Sequence, residues 1–201
     1  MLCDNGHEVT LWSALPEEVL LLDTQRENTA KLPGVFLPES IVVTGDLEAA
    51  CHEKDLLVFA VPSVFIRSTS RAAAPFVADG QTIVNVSKGI EEATLCLMTD
   101  IIKEEIPQAK AAVLSGPSHA EEVGRRIPTT VVAGADDEAT ARLVQDLFMN
   151  DVFRVYISSD MIGIELGGAL KNIIALAAGV VDGLGLGDNT KAALMTRGIA
   201  E

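Results

Sequence analysis

The 201-residue chain is poor in aromatics, in positive charge and in cysteine, and each shortage excludes something. Only 4% of residues are aromatic although 48% are hydrophobic, so Val, Ile, Leu and Ala must build the core. That composition suits buried parallel strands and tightly packed helices. The formal net charge of −14 argues against a nucleic acid or an anionic membrane as partner, because both need a basic face. A small anionic ligand stays open, provided a few local cations serve it. Cys3, Cys51 and Cys96 are widely spaced with no C-x-x-C, which reads as a reducing, cytoplasmic protein without a disulfide or zinc framework. His7 and His52 have no partner at metal-ligand spacing, and no metal site is expected. Repeats and low-complexity tracts are absent. So is a basic region followed by an apolar one after Met1, and no signal peptide is expected.

What is present alternates strand with helix. The first elements expected are a strand at Val9–Trp12, a helix from Glu17 to about Thr29, a strand at Ile41–Thr44 and a helix capped by Asp46. The apolar run Leu56–Val61 reads as a strand buried on both faces, followed by a helix from Ser63 to about Ala74. Strands at Thr82–Val86, Ala111–Leu114, Thr129–Ala133 and Phe153–Ile157 come next, with helices at Thr94–Glu105, from His119, and at Asp137–Met149. Such βαβ spacing predicts an α/β, Rossmann-like, doubly wound and mostly parallel sheet. Its usual first strand, with the G-x-G-x-x-G that cradles a pyrophosphate, is not in the sequence. From Asp160 the pattern becomes purely helical, broken by Gly183-Leu184-Gly185-Leu186-Gly187 and resuming from about Asp188 to the end. We therefore divide the chain into residues 1–158, a partial nucleotide-binding-type domain, and 159–201, the beginning of an all-α domain. Both ends are expected to be cut.

Candidate chemistry sits where strands end, since ligands of open α/β sheets bind beyond the carboxyl ends. Lys88 follows a strand directly and reads either as a cation reaching an anionic substrate or as a surface turn. In Ser115-Gly116-Pro117-Ser118, Gly116 permits close backbone approach and Ser118 can cap the next helix. Val61-Pro62-Ser63 reads more simply as a helix start, His119 as an exposed helix residue and Trp12 as packing. The pairs Glu91-Glu92 and Asp136-Asp137 read as solvated helix starts. Lys171 lies in an apolar, small-residue helix whose only other ionisable group from Ile162 to Val181 is Glu165. Desolvation there would lower its pKa and suit it to proton exchange, whereas helix pattern alone favours an amine snorkelling to water. The stretch Ile162–Val181 is long enough to span a membrane, but Glu165, Lys171 and Asn172 favour a buried helix and no membrane insertion.

The motifs Asn5-Gly6-His7-Glu8, Leu32-Pro33-Gly34-Val35, Ala60-Val61-Pro62-Ser63, Ser87-Lys88-Gly89-Ile90, Ser115-Gly116-Pro117-Ser118, Glu165-Leu166-Gly167-Gly168-Ala169-Leu170-Lys171-Asn172 and Asp182-Gly183-Leu184-Gly185 occur in this order. Over essentially the whole chain they resemble bacterial NAD(P)-dependent glycerol-3-phosphate dehydrogenase. The resemblance implies an oxidoreductase of two domains that interconverts dihydroxyacetone phosphate and sn-glycerol 3-phosphate for phospholipid synthesis. It implies Lys171 as proton donor and acceptor, Lys88 in contact with substrate and cofactor, Gly116 and Ser118 lining the substrate site, and Ala120 against the cofactor. The cofactor would be NAD or NADP; Ser13-Ala14-Leu15 follows Trp12 where many relatives carry an arginine for a 2′-phosphate. A homo-oligomer is compatible with the resemblance. The rival readings are a related β-hydroxyacid or ketoacid reductase, and a non-catalytic remnant; the chain by itself is expected to be inactive.

Overall fold

The computed structural model describes residues 1–200; the expected run of the last helix into Glu201 lies outside them. The strands fall into two sheets. In the first, β1 (Thr10–Trp12) pairs in parallel with β2 (Val42–Thr44), joined by α1 (Pro16–Gln25). Helix α1 stops short of Thr29 because Arg26 turns left-handed at φ 54. The Arg26 guanidinium then donates to the carbonyl oxygens of Glu39 and Ile41, tying the loop back. Helix α2 (Leu47–Cys51) starts where Asp46 accepts from the Ala49 amide, as the capping residue predicts.

The second sheet has the order β3 (Leu56–Phe59), β4 (Thr82–Asn85), β5 (Lys110–Ser115), β6 (Thr129–Ala135), β7 (Phe153–Ser158). All its neighbours run parallel except β5 and β6. Helices α3 (Ile66–Ala73), α4 (Met98–Glu105) and α6 (Glu138–Phe148) make the parallel crossovers, and the short α5 (Ala120–Gly124) joins the antiparallel pair. This is the mostly parallel Rossmann-like α/β sheet that the alternation predicts.

Period-2 geometry splits the core between the faces. Leu57, Phe59 and Ile83 pack with Ile66, Met98, Ile101 and Ile102 of α3 and α4. Val84, Ala112, Leu114, Val131 and Val155 pack with Val144 and Phe148 of α6. Strand β3 departs from expectation: Leu57 and Phe59 are buried, but Leu56 and Val58 are only half-buried. The reason is position. It is the edge strand, and α6 covers the other face over β5 to β7.

The segment before α4 also differs. Residues expected in its first turn form a tight loop with an Ile90–Leu97 bridge, and Leu95 is left-handed at φ 60. Glu91 starts no helix; Arg67 holds it through two hydrogen bonds of 2.7 Å.

After β7 the chain enters α7 (Met161–Gly183), capped by Asp160 on the Gly163 amide at 2.8 Å. It then turns through Gly185 and Gly187, both at positive φ, into α8 (Gly187–Ala200). The expected burial of α7 is corrected. Only Met161 and Glu165 are buried, while Ile162, Ile173 and Leu176 are more than 60% exposed. The helix packs against β5, β6 and α8, yet most of its residues are exposed. By length and composition alone it could cross a membrane.

Candidate functional site at the carboxyl ends of the strands

Strand β4 ends on Asn85, which is fully buried, and this side chain shapes the turn that leaves the strand. Its amide donates to the Ser87 carbonyl at 2.9 Å while its oxygen accepts from the Ser87 N–H at 3.0 Å. Ser87 Oγ in turn donates to the Val61 carbonyl, joining this loop to the one leaving β3. Gly89 completes the junction: at φ 154, a Cβ there would stand 2.6 Å from Ser63 Oγ. The result is a fixed, half-buried Lys88 whose Nζ donates to Ser118 Oγ at 3.2 Å.

Ser118 belongs to the loop leaving β5. Its hydroxyl also donates to the Gly116 carbonyl at 3.3 Å, and so it does not cap α5 as the sequence suggests; His119 occupies the N-cap position, and its side chain makes no capping bond to the helix amides. Gly116 has the close approach expected of it. A Cβ there would meet the Thr130 carbonyl oxygen and Val131 Cα, both at 2.9 Å, because β6 passes directly beneath.

Helix α7 reaches this edge from the other side. Gly168 lies against it so closely that a Cβ would stand 2.8 Å from Ser115 Oγ and 3.4 Å from Lys88 Cγ. Ser115 Oγ is itself buried with no hydrogen-bond partner among the described residues. Lys171 comes one turn later. It is exposed, its Nζ donating to Asn172 Oδ1 at 3.0 Å, which is the snorkelling reading of the helix pattern and not the desolvated one: the helix around it is apolar but open to water. Lys88 is the half-buried one, its pKa lowered first by burial and then by the positive charge of Lys171.

Lys88, Gly116 and Ser118 are thus brought together, with Lys171 in electrostatic reach. Ala120 is exposed at the start of α5, two residues after Ser118. His119 is exposed and pairs with Glu121 at 3.0 Å, and Trp12 donates to the Gly45 carbonyl at 3.2 Å. Two surface clefts, around Thr130, Asn150 and Arg154 and around Lys54, Pro75 and Gln81, contain none of these candidates.

The residue that sequence reasoning passed over is Glu165. It is 5% exposed, accepts from the Thr99 amide at 3.1 Å and from the Thr99 hydroxyl, and burial raises its pKa. The signal was present: an ionisable group in an apolar run needs a partner, and Glu165 is as isolated along the helix as Lys171.

An α/β sheet with this connectivity, carrying polar side chains at its carboxyl ends and a helical segment after it, defines a nucleotide-binding-type fold joined to helices. Residues 1–141 match the family described as NAD-dependent glycerol-3-phosphate dehydrogenase N-terminus, and residues 160–201 match its C-terminus. The chain belongs to the NAD-dependent glycerol-3-phosphate dehydrogenase family. It is 61% identical over 201 residues to a glycerol-3-phosphate dehydrogenase [NAD(P)+] of Agathobacter rectalis, covering 100% of this chain and 60% of that one. A protein of the same name from Fusobacterium nucleatum is 56% identical over 203 residues, with 100% and 61% covered. The crystal structure of glycerol-3-phosphate dehydrogenase from Coxiella burnetii superposes with a TM-score of 0.88 at 34% identity, over 98% of this chain and 60% of that one. The chain therefore spans about three fifths of the length of the curated relatives it matches.

Proposed function

We propose that this chain is the nucleotide-binding part and first helices of an NAD(P)-dependent glycerol-3-phosphate dehydrogenase, with the division between them near Ser158-Ser159. It works in the cytoplasm on dihydroxyacetone phosphate and sn-glycerol 3-phosphate. The single observation that carries this reading is the half-buried Lys88, held by Ser118 and lowered in pKa by burial and by Lys171. The donor set fits the reacting end of such a complex. An ammonium, a hydroxyl and a backbone made approachable at Gly116 meet at one edge, beside a buried Ser115 hydroxyl that has no partner among the described residues. No G-x-G-x-x-G occurs among the 201 residues, so we assign no residue to the dinucleotide's pyrophosphate. Lys88 and Ala120 would face the cofactor; Lys88, Gly116, Ser118 and Lys171 the substrate.

When bound, the dinucleotide supplies hydride for reduction of the ketone and accepts it in the reverse direction. This chain's residues handle the charge that results. Negative charge grows on the carbonyl oxygen, and two ammonium groups stabilise it, Lys88 held in place by Ser118 before the reaction begins. Lys171, the exposed and more mobile of the two, gives the oxygen its proton and takes it back in the reverse direction. Ser118 holds Lys88 in place and offers a hydroxyl to the substrate. The activity for which the relatives are named favours a phosphorylated triose over a ketoacid, and a panel of both substrates separates the two readings.

The test is Lys171→Ala in the full-length protein. Turnover should fall by about 10²–10⁴-fold, the usual contribution of general acid–base catalysis. The melting temperature should stay unchanged, because the side chain is exposed. Near-normal turnover would end the assignment.

A further inference from the structure

Glu165 is more deeply buried than either lysine, and its donors come from another element. Thr99 is the second residue of α4, and Leu97, at the N-cap of that helix, has no side-chain acceptor to offer. The first amides of a helix lack intrahelical partners and carry its positive end. Helices α2, α6 and α7 answer this with their own aspartates, Asp46, Asp137 and Asp160. Helix α4 instead borrows a carboxylate from α7, 66 residues away. The groups around that carboxylate are few: burial raises its pKa, the Thr99 hydroxyl and amide lower it, Asp100 raises it, and the Met98 amide lowers it.

The cap therefore pins α7 to the sheet. From that pin, Gly168 comes one turn later to rest on Ser115 Oγ and the Lys88 stem, and Lys171 lies six residues on, about 9 Å along the axis. A small tilt at the pin is carried outward to Lys171, which has no burial of its own to hold it.

We propose that Glu165 is a positioning residue: its cap on α4 sets how α7 crosses the sheet and thereby keeps Lys171 beside Lys88. The catalytic consequence rests on the function proposed above; the geometric claim does not. The test tracks the titration of Lys88 by NMR of ¹³C-methylated lysines in the full-length protein, assigned with Lys88→Arg and Lys171→Arg. Glu165→Ala should let Lys171 recede and raise the Lys88 midpoint by about half a pH unit or more. Loss of the carboxylate's own charge would move Lys88 the other way, so an upward shift reports displacement. Glu165→Gln still accepts from the Thr99 amide and should leave the midpoint at or slightly below its original value. It also serves where the alanine variant fails to fold. Lys171→Met should raise the midpoint by itself, and adding Glu165→Ala to it should produce no further rise. An unmoved midpoint in Glu165→Ala overturns the proposal. So does an equal shift in both backgrounds, which would mean general loosening. If the midpoint moves as expected while Lys171→Ala retains turnover, the positioning stands and the catalytic reading alone falls.

Discussion

Along β4 and β5 every residue from Thr82 to Asn85 and from Ala111 to Ser115 is buried, whereas the 23 residues of α7 bury only Met161 and Glu165. Both regions are apolar, but they hold their places differently. The sheet is located by apolar packing on two faces, with Lys88 inheriting its position from buried strands. Helix α7 is located by fewer contacts: the Glu165–Thr99 cap, Gly168 against Ser115 and Lys88, Met161 and Ile164 against Gly134 of β6, and Ile174 against Gly198 of α8. Acid–base chemistry of the proposed kind calls for both kinds of lysine, one fixed and partly desolvated, the other free to deliver a proton.

The largest effect that would sharpen this contrast comes from two like substitutions. Ile101→Ala removes a side chain with 0% exposure and should destabilise by about 2–5 kcal/mol, through lost burial plus a cavity. Ile173→Ala, at 63% exposure, should stay within about 0.5 kcal/mol. Urea unfolding measures both, and equal costs would break the comparison.

Neighbouring glycines give a smaller effect with opposite signs. Gly168→Ala drives a Cβ to 2.8 Å from Ser115 Oγ and should cost about 1–3 kcal/mol as overpacking. Gly167, with nothing within 4 Å, should gain up to about 1 kcal/mol as alanine from helix propensity. A stabilised Gly168→Ala protein would show that α7 does not press on this edge.

The smallest effect lies in the loop after Lys88. Arg67, and after it Thr94, lower the pKa of Glu91 from its ordinary 4.5 to about 2. Stability from this pair is thus complete above pH 4.5 and drains away as the pH falls toward about 2. Glu91→Gln should flatten the acid limb of the stability profile and leave neutral pH nearly as it was. A parallel acid limb in both proteins would mean that the loop does not depend on the pair.

Much of the fold was legible because its signals are local. Alternation of apolar runs with capped helices placed the strands, Asp46 and Asp137 marked helix starts, and the glycines at 183–187 marked the break between the last helices. What was misread involved partners remote in sequence. Glu91 resembles an exposed acid until Arg67 is folded against it, 24 residues away. Ser118 resembles a helix cap until Lys88 arrives, 30 residues away, and takes up its hydroxyl. Lys171 reads either as desolvated or as snorkelling to water, because apolar neighbours along the helix do not say what covers them; few of them are covered by anything.

By itself the sequence determined the element types, the aliphatic character of the core, the family and the candidate lysines, since each is written in residue order and spacing. The tertiary structure alone decided which lysine is desolvated, which glycine is indispensable to contact, and which carboxylate docks α7. Those outcomes depend on solvent access and on short distances between elements, and neither exists until the sheet and helices have packed.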